Sequence, residues 1–311
     1  MLRYLAGRLL FAIPIFLGVV TIVFVIVRVL PGDPASVALG DYASRDAVEA
    51  LRHRLGLDRP LVVQYADYLA GLARGDLGQS LVNGTPVRSE VAHSLPFTLQ
   101  LTLLALVLGI ALGIPGGVVS ALTRNRAPDG LTRVLSLVGL SVPAYYLGIL
   151  LILLFAIQLR VLPAIGAGTL WTADSVRYLI LPAGTLGLVM AAAVVRFTRS
   201  TVLNTLSQDF VRTAQAKGLR RPVVIAKHTL RAALIPIISL AGVWSIGLIG
   251  DSVTTEIVFA RPGLGSLMVG AMLQRDYTSL QSVMVVYTAF VIVINLASDL
   301  LYGVVDPRVR Y

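Results

Sequence analysis

The sequence lacks cysteine and contains only three histidines among its 311 residues. Disulfides and thiolate metal sites are therefore excluded. The histidines, His53, His93 and His228, are too scattered for a His-x-x-x-His zinc pair. Neither Lys217 nor Lys227 follows a glycine, so the chain has no P-loop for a nucleotide phosphate. We expect no catalytic residue, no metal site and no cofactor in this chain, and any nucleotide energy must come through another polypeptide.

Charge is also scarce, since charged residues make up 14% of the chain and hydrophobic residues 56%. The mean hydropathy is +0.83. A soluble domain of this size does not bury so much apolar surface, whereas a membrane protein exposes it to lipid. The net charge of +10 lies at the ends of apolar runs rather than along one polar face. This distribution predicts a membrane protein that contacts lipid and does not bind nucleic acid.

Six apolar runs near the length of about 20 residues that a bilayer requires predict six transmembrane helices. They are approximately Leu9–Leu30, Phe97–Leu122, Val134–Leu159, Val176–Val195, Ala233–Val253 and Ser282–Val304. Lys and Arg of the short loops fall mostly on one side, so the positive-inside rule predicts that both termini are cytoplasmic. The alternative for the first run is a cleaved signal peptide, but its apolar core exceeds the usual ~7–15 residues.

The polar insert between the first two runs is predicted to be helical and extracytoplasmic. Val48, Leu51 and Leu55 have helical spacing and stop at Gly56. A second amphipathic stripe consists of Leu61, Tyr65, Tyr68, Leu69 and Leu72. Two or three short helices would satisfy both stripes, either as a docking surface for an outer partner or as a passive lid. The predicted organisation is therefore an N-terminal transmembrane helix (1–30), an extracytoplasmic insert (31–96) and a five-helix core (97–311).

Two features of the spans concern helix packing. Gly109, Gly113 and Gly117 form a stripe at four-residue steps that lets another backbone approach closely. We expect this stripe to pack within the chain, with a dimer seam as the alternative. Prolines that permit helix bends lie in or at the edges of four spans, at Pro115, Pro143, Pro182 and Pro236.

The segment from Asp209 to Pro236 differs from its surroundings because it is basic and reads as two helices with a corner. Asp209 is a plausible N-cap, Phe210 and Ala214 fall on one face, and Gly218 is a helix stop. Pro222 lies where a second helix would start. A short helix and a sharp turn between two spans are expected to form a protrusion that a partner protein can bind.

Polar and ionisable residues within or near the predicted spans leave ion-coupled transport as an alternative function. The candidates are Asp251, Glu256, Asn295 and Asp299. Interfacial solvation or helix capping is the simpler explanation for the two aspartates, and we expect Glu256, just before a loop, to be half-solvated.

Several motifs together resemble one protein family. Ala214-Gln215-Ala216-Lys217-Gly218-Leu219, followed by Arg231-Ala232-Ala233-Leu234-Ile235-Pro236, resembles the cytoplasmic "EAA" loop of ABC-importer permeases, in the form used by the dipeptide/oligopeptide/nickel branch. Stretches that agree with that branch are Pro31-Gly32-Asp33-Pro34, Leu55-Gly56-Leu57-Asp58, Gly75-Asp76-Leu77-Gly78, Ser94-Leu95-Pro96, Thr255-Glu256-Ile257-Val258-Phe259, Pro262-Gly263-Leu264-Gly265 and the ending Asp306-Pro307-Arg308-Val309-Arg310-Tyr311. The loop departs from the general pattern, because Arg212-Thr213-Ala214 stands where Glu-Ala-Ala is usual.

The resemblance implies an all-α, six-helix type I (MetI-like) ABC importer permease fold. It implies a second homologous permease, two ATPase subunits that bind ATP and Mg, and an extracytoplasmic substrate-binding protein. The expected location is the cytoplasmic membrane of a bacterium or archaeon, as a multi-pass protein. The expected cargo is di- or oligopeptides, with nickel chelates and other small solutes as alternatives.

The resemblance also implies site residues. The ATPase-coupling residues, within a cytoplasmic loop at about 200–232, would be Asp209, Arg212, Thr213, Ala214, Ala216, Lys217, Gly218 and Leu219. Candidates for the translocation path are Tyr145, Tyr146 and Asn295. Candidates for an outer loop or gate are Glu256, Phe259, Pro262 and Gly263. The competing functions are a self-contained channel or ion-driven carrier, and an intramembrane enzyme.

Overall fold

The computed structural model describes residues 2–29, 34–39, 43–170 and 172–305. Pro31-Gly32-Asp33 and the ending Asp306–Tyr311 lie outside the described residues. The helices are, in chain order, α1 (Leu2–Val29), α2 (Pro34–Leu39), α3 (Arg45–Arg54), α4 (Leu61–Ala73), α5 (Val87–Leu122), α6 (Ala127–Ser141), α7 (Ala144–Leu151), α8 (Ala173–Leu206), α9 (Asp209–Ala216), α10 (Arg221–Val223), α11 (Arg231–Val258), α12 (Leu264–Leu273) and α13 (Tyr277–Val305). Two π-helical segments, Ile152–Gln158 and Val224–Leu230, follow α7 and α10.

The chain folds as two compact units. The first unit lies within Met1–Leu5, Thr98–Arg261 and Val293–Tyr311. The second lies within Ala6–Phe97 and Pro262–Ile292. The all-α fold is confirmed for the described residues, which contain no β-strand beyond an isolated bridge between Gln79 and Pro86.

In the part of the chain that the structure describes, five helical stretches are long and apolar enough to span a membrane, and a bent pair of helices brings the number to six. The third predicted span, Val134–Leu159, is sharply bent at Pro143, where α6 and α7 meet at an angle of 108°. Val142 is extended there, with φ −89° and ψ 123°, and Pro143 precedes the first residue of α7. A residue before proline is pushed out of the helical region, which accounts for the break.

The remaining spans are longer than predicted. Helix α5 begins ten residues before Phe97, and α8 continues to Leu206. An unbroken helical run from Arg221 to Val258 replaces the predicted Ala233–Val253. Because of these extensions His93 and His228, which lie outside the six predicted apolar runs, fall inside membrane-spanning candidates. The apolar pattern underestimates such helices because their ends carry polar residues.

In the first unit, α5 packs closely against α8 along the glycine stripe. A Cβ built on Gly109 would lie 2.7 Å from Met190 Cγ, and one on Gly113 would lie 2.6 Å from Val194 Cβ. These distances are too short for a real side chain, so the glycines allow the two backbones to approach. The expectation that the stripe packs within the chain is confirmed.

Gly117 gives a test of this packing. A Cβ at Gly117 would lie 2.5 Å from Thr198 Cβ and 2.7 Å from the Val195 carbonyl oxygen, which is backbone and cannot rotate away. We expect Gly117→Ala to destabilise the protein by about 1–3 kcal/mol, the usual cost of overpacking. Thermal denaturation in detergent measures this. The control is Gly250→Ala, because Gly250 is also in a helix but a Cβ there would have nothing within 4 Å. The stability of this variant should stay unchanged or rise by up to about 1 kcal/mol. An equal loss of stability in both variants would contradict the packing of α5 on α8.

In the second unit, α4 packs on α1 through aromatic side chains. Phe24 lies 5.1 Å from the ring of Tyr65 and 5.9 Å from that of Tyr68, centre to centre. Arg28 Nε donates to Gln64 Oε1 at 2.9 Å. The tyrosines of the predicted stripe on α4 therefore pack on α1, whereas Leu61 is 60% exposed. The described part of the insert contains three short helices, α2 to α4, in agreement with its sequence pattern.

The loop after α4 is tied to the start of α13, also in the second unit. Asp276 is buried and accepts hydrogen bonds from Leu81 N at 3.2 Å and Ser279 Oγ at 2.8 Å, and from Ser80 Oγ. Ser282 Oγ donates to the Leu77 carbonyl at 2.7 Å. Ser279 N also donates to Asp276 Oδ1 at 3.1 Å, so the same carboxylate caps the first turn of α13 and fixes the loop.

Candidate functional site

The short helix α9 is built by local signals in its sequence. Gln208 is extended and precedes the helix, so Asp209 is its first helical residue rather than the predicted N-cap. A carboxylate in the first turn still favours the positive end of the helix dipole. Gly218 has φ +75° and its amide donates to the Gln215 carbonyl at 2.9 Å. The predicted stop at Gly218 is confirmed.

One face of α9 is buried against neighbouring helices. Val211 is fully buried and Ala214 is 6% exposed, and both pack with the buried Val224 and with Leu206 at the end of α8. Phe210 and Ala214 lie one turn apart on α9, as predicted, but the Phe210 side chain is 43% exposed and does not share the burial of Ala214. The smaller Val211 packs inward instead, which holds α9 close to the helix that follows.

The corner after α9 leads straight into the longest helical run of the chain. Arg220 is extended, with ψ 136°, and Pro222 falls in the first turn of α10 as predicted. The run continues through the π-helical segment to Val258, 38 residues in all. Because Val224 belongs to this run and packs on α9, a force on α9 acts directly on the helix that contains α11.

The outer surface of α9 and its corner is basic with apolar side chains between the charges. Arg212, Lys217, Arg220 and Arg221 are exposed, and Asp209 Oδ1 lies 3.6 Å from Arg212 Nη1 in a solvent-exposed pair. Leu219 and Val223 are 41% and 42% exposed. We call the exposed set of Phe210, Arg212, Lys217, Leu219 and Val223 the coupling surface, after the role that the family resemblance implies for this segment.

The predicted coupling residues lie in α9 and in the corner that follows it. Ala214 is buried, whereas the others are exposed: Asp209, Arg212, Thr213, Ala216, Lys217, Gly218 and Leu219. The exposed members have the chemistry to bind an acidic, partly apolar groove. Ala214 serves the packing of α9 instead.

Glu256 is fully buried, so the expectation that it is half-solvated is wrong. Thr98 Oγ1 donates to Glu256 Oε1 at 2.6 Å. Arg261, which the sequence did not single out, is 1% exposed, and its Nη2 donates to Gln100 Oε1 at 2.7 Å. Burial lowers the pKa of Arg261 to about 10, and the nearby Glu256 carboxylate opposes that shift. The guanidinium remains charged at neutral pH.

Phe259, predicted for an outer gate, is a packing residue in the first unit. It is 2% exposed, and its carbonyl accepts from Gly166 N at 2.8 Å. A Cβ on Gly148 would lie 3.1 Å from the Phe259 ring. In the second unit, Gly263 N donates to Ser266 Oγ at 2.9 Å and so caps α12.

The candidates for the translocation path are exposed. Tyr145 and Tyr146, in the first turn of α7, are each 49% exposed. Asn295 is exposed on α13. Asp251, a candidate for ion-coupled transport, is exposed on α11. Among the described residues, no three His, Asp or Glu side chains come together to hold a metal ion.

A buried ion pair that the sequence did not reveal joins α6 to α8. Asp129 is fully buried and accepts from Arg199 Nε at 2.7 Å and Nη2 at 2.9 Å. Ser120 Oγ at 2.7 Å and the Asn125 amide at 2.9 Å also donate to it. The only signal in the sequence is a lone aspartate in a basic loop, since its partner lies 70 residues away.

Comparisons with known proteins agree with this architecture. Residues 113–311 match the family "Binding-protein-dependent transport system inner membrane component", and residues 1–102 match the N-terminal model of such membrane components. The glutathione transport system permease protein GsiC of Escherichia coli (strain K12) is 40% identical over 311 residues, all of both chains. The protein of the same name from Pectobacterium atrosepticum is 42% identical over the same length.

Solved structures support the fold. An inward-facing structure of the MetNI methionine ABC transporter matches with a TM-score of 0.58 and 20% identity, covering 71% of this chain and 98% of the other. A second crystal form matches with a TM-score of 0.57. The chain therefore belongs to the family of inner-membrane components of binding-protein-dependent transport systems, and it is the integral-membrane permease subunit of an ABC importer rather than an enzyme.

Proposed function

We propose that this permease carries peptides into the cell and that ATP hydrolysis drives it through the segment Asp209 to Pro236. The observation that carries the proposal is the packing of α9 on the helix it leads into. Val211 and Ala214 hold α9 on Val224, and Val224 lies in the unbroken run to Val258. An ATPase that moves α9 would therefore tilt a membrane span as one rigid body.

The proposed partners are a second homologous permease, two ATPase subunits and an extracytoplasmic binding protein. ATP and Mg would bind to the ATPases. The coupling surface would seat in a groove of one ATPase, with its basic side chains facing acidic groups and its apolar side chains filling the groove. Both termini and the coupling surface are proposed to face the cytoplasm, because the basic loops share that side.

The proposed mechanism is alternating access. ATP binding draws the two ATPases together, and the two permeases move with them. The path then opens to the outside and receives the substrate from the binding protein. Substrate passes between this chain and its homologue, since a single six-helix bundle leaves little room for a peptide.

The proposed cargo is a short peptide. The relatives at 40–42% identity are named as glutathione permeases, and glutathione is a tripeptide. The motifs of the dipeptide/oligopeptide/nickel branch point to the same class of cargo. The binding protein selects among related substrates, so the permease itself needs only a path of suitable width.

Reconstitution tests the proposal. A tagged copy should co-purify with a second permease and two ATPases, and liposomes with the whole assembly should take up labelled di- and tripeptides only with ATP and the binding protein. The chain alone should pass nothing. Flux through the chain alone, driven by pH or sodium and lost in Asp251→Asn, would instead identify an ion-driven carrier.

A further inference from the structure

A cleft of about 670 Å³ opens between α6 and α8 in the first unit. Its polar wall is formed by Ser120, Arg133, Ser136, Arg196, Arg199 and Ser200. Among the described residues that line it, none is acidic. The guanidinium groups offer positive charge and hydrogen-bond donors to an incoming anion. The hydroxyl hydrogens of Ser120 and Ser136 are already donated, to Asp129 Oδ1 and to the Thr132 carbonyl.

One guanidinium in this wall is fixed in place. Asp129 holds Arg199 through two hydrogen bonds, from Nε and Nη2, and is itself held by Ser120 and the Asn125 amide. A guanidinium has five N–H donors, so three of those on Arg199 remain available. The pair is neutral overall, and it presents these donors to the cleft in a set direction.

The net charge of the cleft comes from Arg133 and Arg196. Both side chains are exposed, and neither forms an ion pair within the part of the chain that the structure describes. Arg133 lies on α6 and Arg196 on α8, so the two charges come from the two helices that bound the cleft. An anion between them would be held by both.

The rest of the wall is apolar. Val134 and Leu137 line the cleft and are 59% and 61% exposed. The volume falls within the range of about 300–1,000 Å³ that is typical of pockets for organic ligands. An inorganic anion needs neither this volume nor an aliphatic surface. A phospholipid needs both, because its phosphate is joined to acyl chains.

The position of the cleft agrees with such a ligand. Its arginines belong to the loops and helix ends that the positive-inside rule assigns to the cytoplasmic side. Basic pockets between transmembrane helices on that side bind anionic head groups. We propose that the cleft between α6 and α8 binds an anionic phospholipid of the inner leaflet, its phosphate between Arg133 and Arg196 and its acyl chains along Val134 and Leu137.

The test uses the assembled transporter, stripped of lipid in detergent and titrated with phosphatidylglycerol while native mass spectrometry counts the bound lipid. Wild type should bind phosphatidylglycerol in preference to phosphatidylcholine. Arg133→Gln/Arg196→Gln should weaken this binding about tenfold to thirtyfold, since two basic contacts are lost. The matched control is Arg124→Gln/Arg126→Gln, which removes two exposed arginines from the same end of the bundle outside the cleft, and it should bind as wild type does.

Two further arms separate the alternatives. Arg133→Lys/Arg196→Lys keeps the charge and should retain most of the binding, which shows that the loss in the glutamine variant is not misfolding. Inorganic phosphate at millimolar concentration should not displace the lipid. The proposal is overturned if phosphate competes fully, if the control loses binding equally, or if the assembly binds no phosphatidylglycerol because the second permease covers the cleft.

Discussion

Replacing Gly218 with aspartate should strongly reduce coupled transport while leaving the protein inserted in the membrane. Gly218 has φ +75° in the corner between α9 and α10, and a Cβ there would have nothing within 4 Å. The cost to folding is therefore limited to backbone strain, about 1 kcal/mol. The larger effect falls on coupling, because a negative side chain now stands in the basic corner and the angle of α9 changes.

We expect ATP-driven uptake to fall between about fivefold and 150-fold, the range that typical coupling free energies produce. Uptake and substrate-stimulated ATPase activity of the reconstituted assembly measure this. Gly75→Asp is the matched control, because Gly75 also has φ +75° and nothing within 4 Å of its Cβ position. Gly75→Asp introduces the same backbone strain outside the segment Asp209 to Pro236, so uptake by this variant should stay near that of wild type. Similar losses of uptake in both variants would show that Gly218 serves folding and not coupling.

Replacing Asp129 with asparagine should lower stability by about 3 kcal/mol. The asparagine NH₂ would face a donor, either the Asn125 amide or Arg199, because both oxygens of Asp129 now accept hydrogen bonds. Arg199 would keep its charge without its partner. The loss lies at the lower end of the range for broken buried pairs, since the Arg199 side chain is 22% exposed.

Thermal denaturation of the purified assembly in detergent measures this loss, which corresponds to roughly 10 °C in the midpoint. Asp67→Asn is the control, because Asp67 is 63% exposed in its pair with Arg59 and such surface pairs contribute about 1 kcal/mol or less. Adding Arg199→Gln to Asp129→Asn should recover part of the stability, since it removes the unpaired charge. A midpoint for Asp129→Asn within the range of the control would show that the pair does not support the fold.

The features that sequence predicts well here are local ones. The stop at Gly218 and the start at Pro222 each depend on the backbone preference of a single residue. The stripe at Gly109, Gly113 and Gly117 depends only on helical spacing. Such signals act within a few residues, so a single sequence is enough to interpret them.

The features that sequence missed depend on distant partners. The buried Glu256 finds its hydrogen-bond donor in Thr98, 158 positions away, and Arg261 donates to Gln100, 161 positions away. Nothing near these residues in the chain identifies the partners. The buried face of α9 could not be predicted for a related reason, because Phe210 and Val211 both lie about one turn from Ala214 and only the packing with Val224 selects Val211.

The angle at Pro143 is an intermediate case. A proline permits a bend, and the extended Val142 before it follows from the same sterics. The size of the bend, 108° between α6 and α7, is set by where each helix packs on α8. Composition alone therefore predicted one span where the structure has two helices at an angle.

The most direct test of the account is to find what the coupling surface touches. The chain has no cysteine, so Arg212→Cys and Lys217→Cys each place one reactive thiol on the exposed side of the segment that includes α9. In the assembled transporter we expect both to cross-link to an ATPase subunit and to be labelled only from the cytoplasmic side, whereas Arg54→Cys in the insert should be labelled from outside. Labelling of position 212 from outside, or no cross-link from either position to any subunit, would contradict the account.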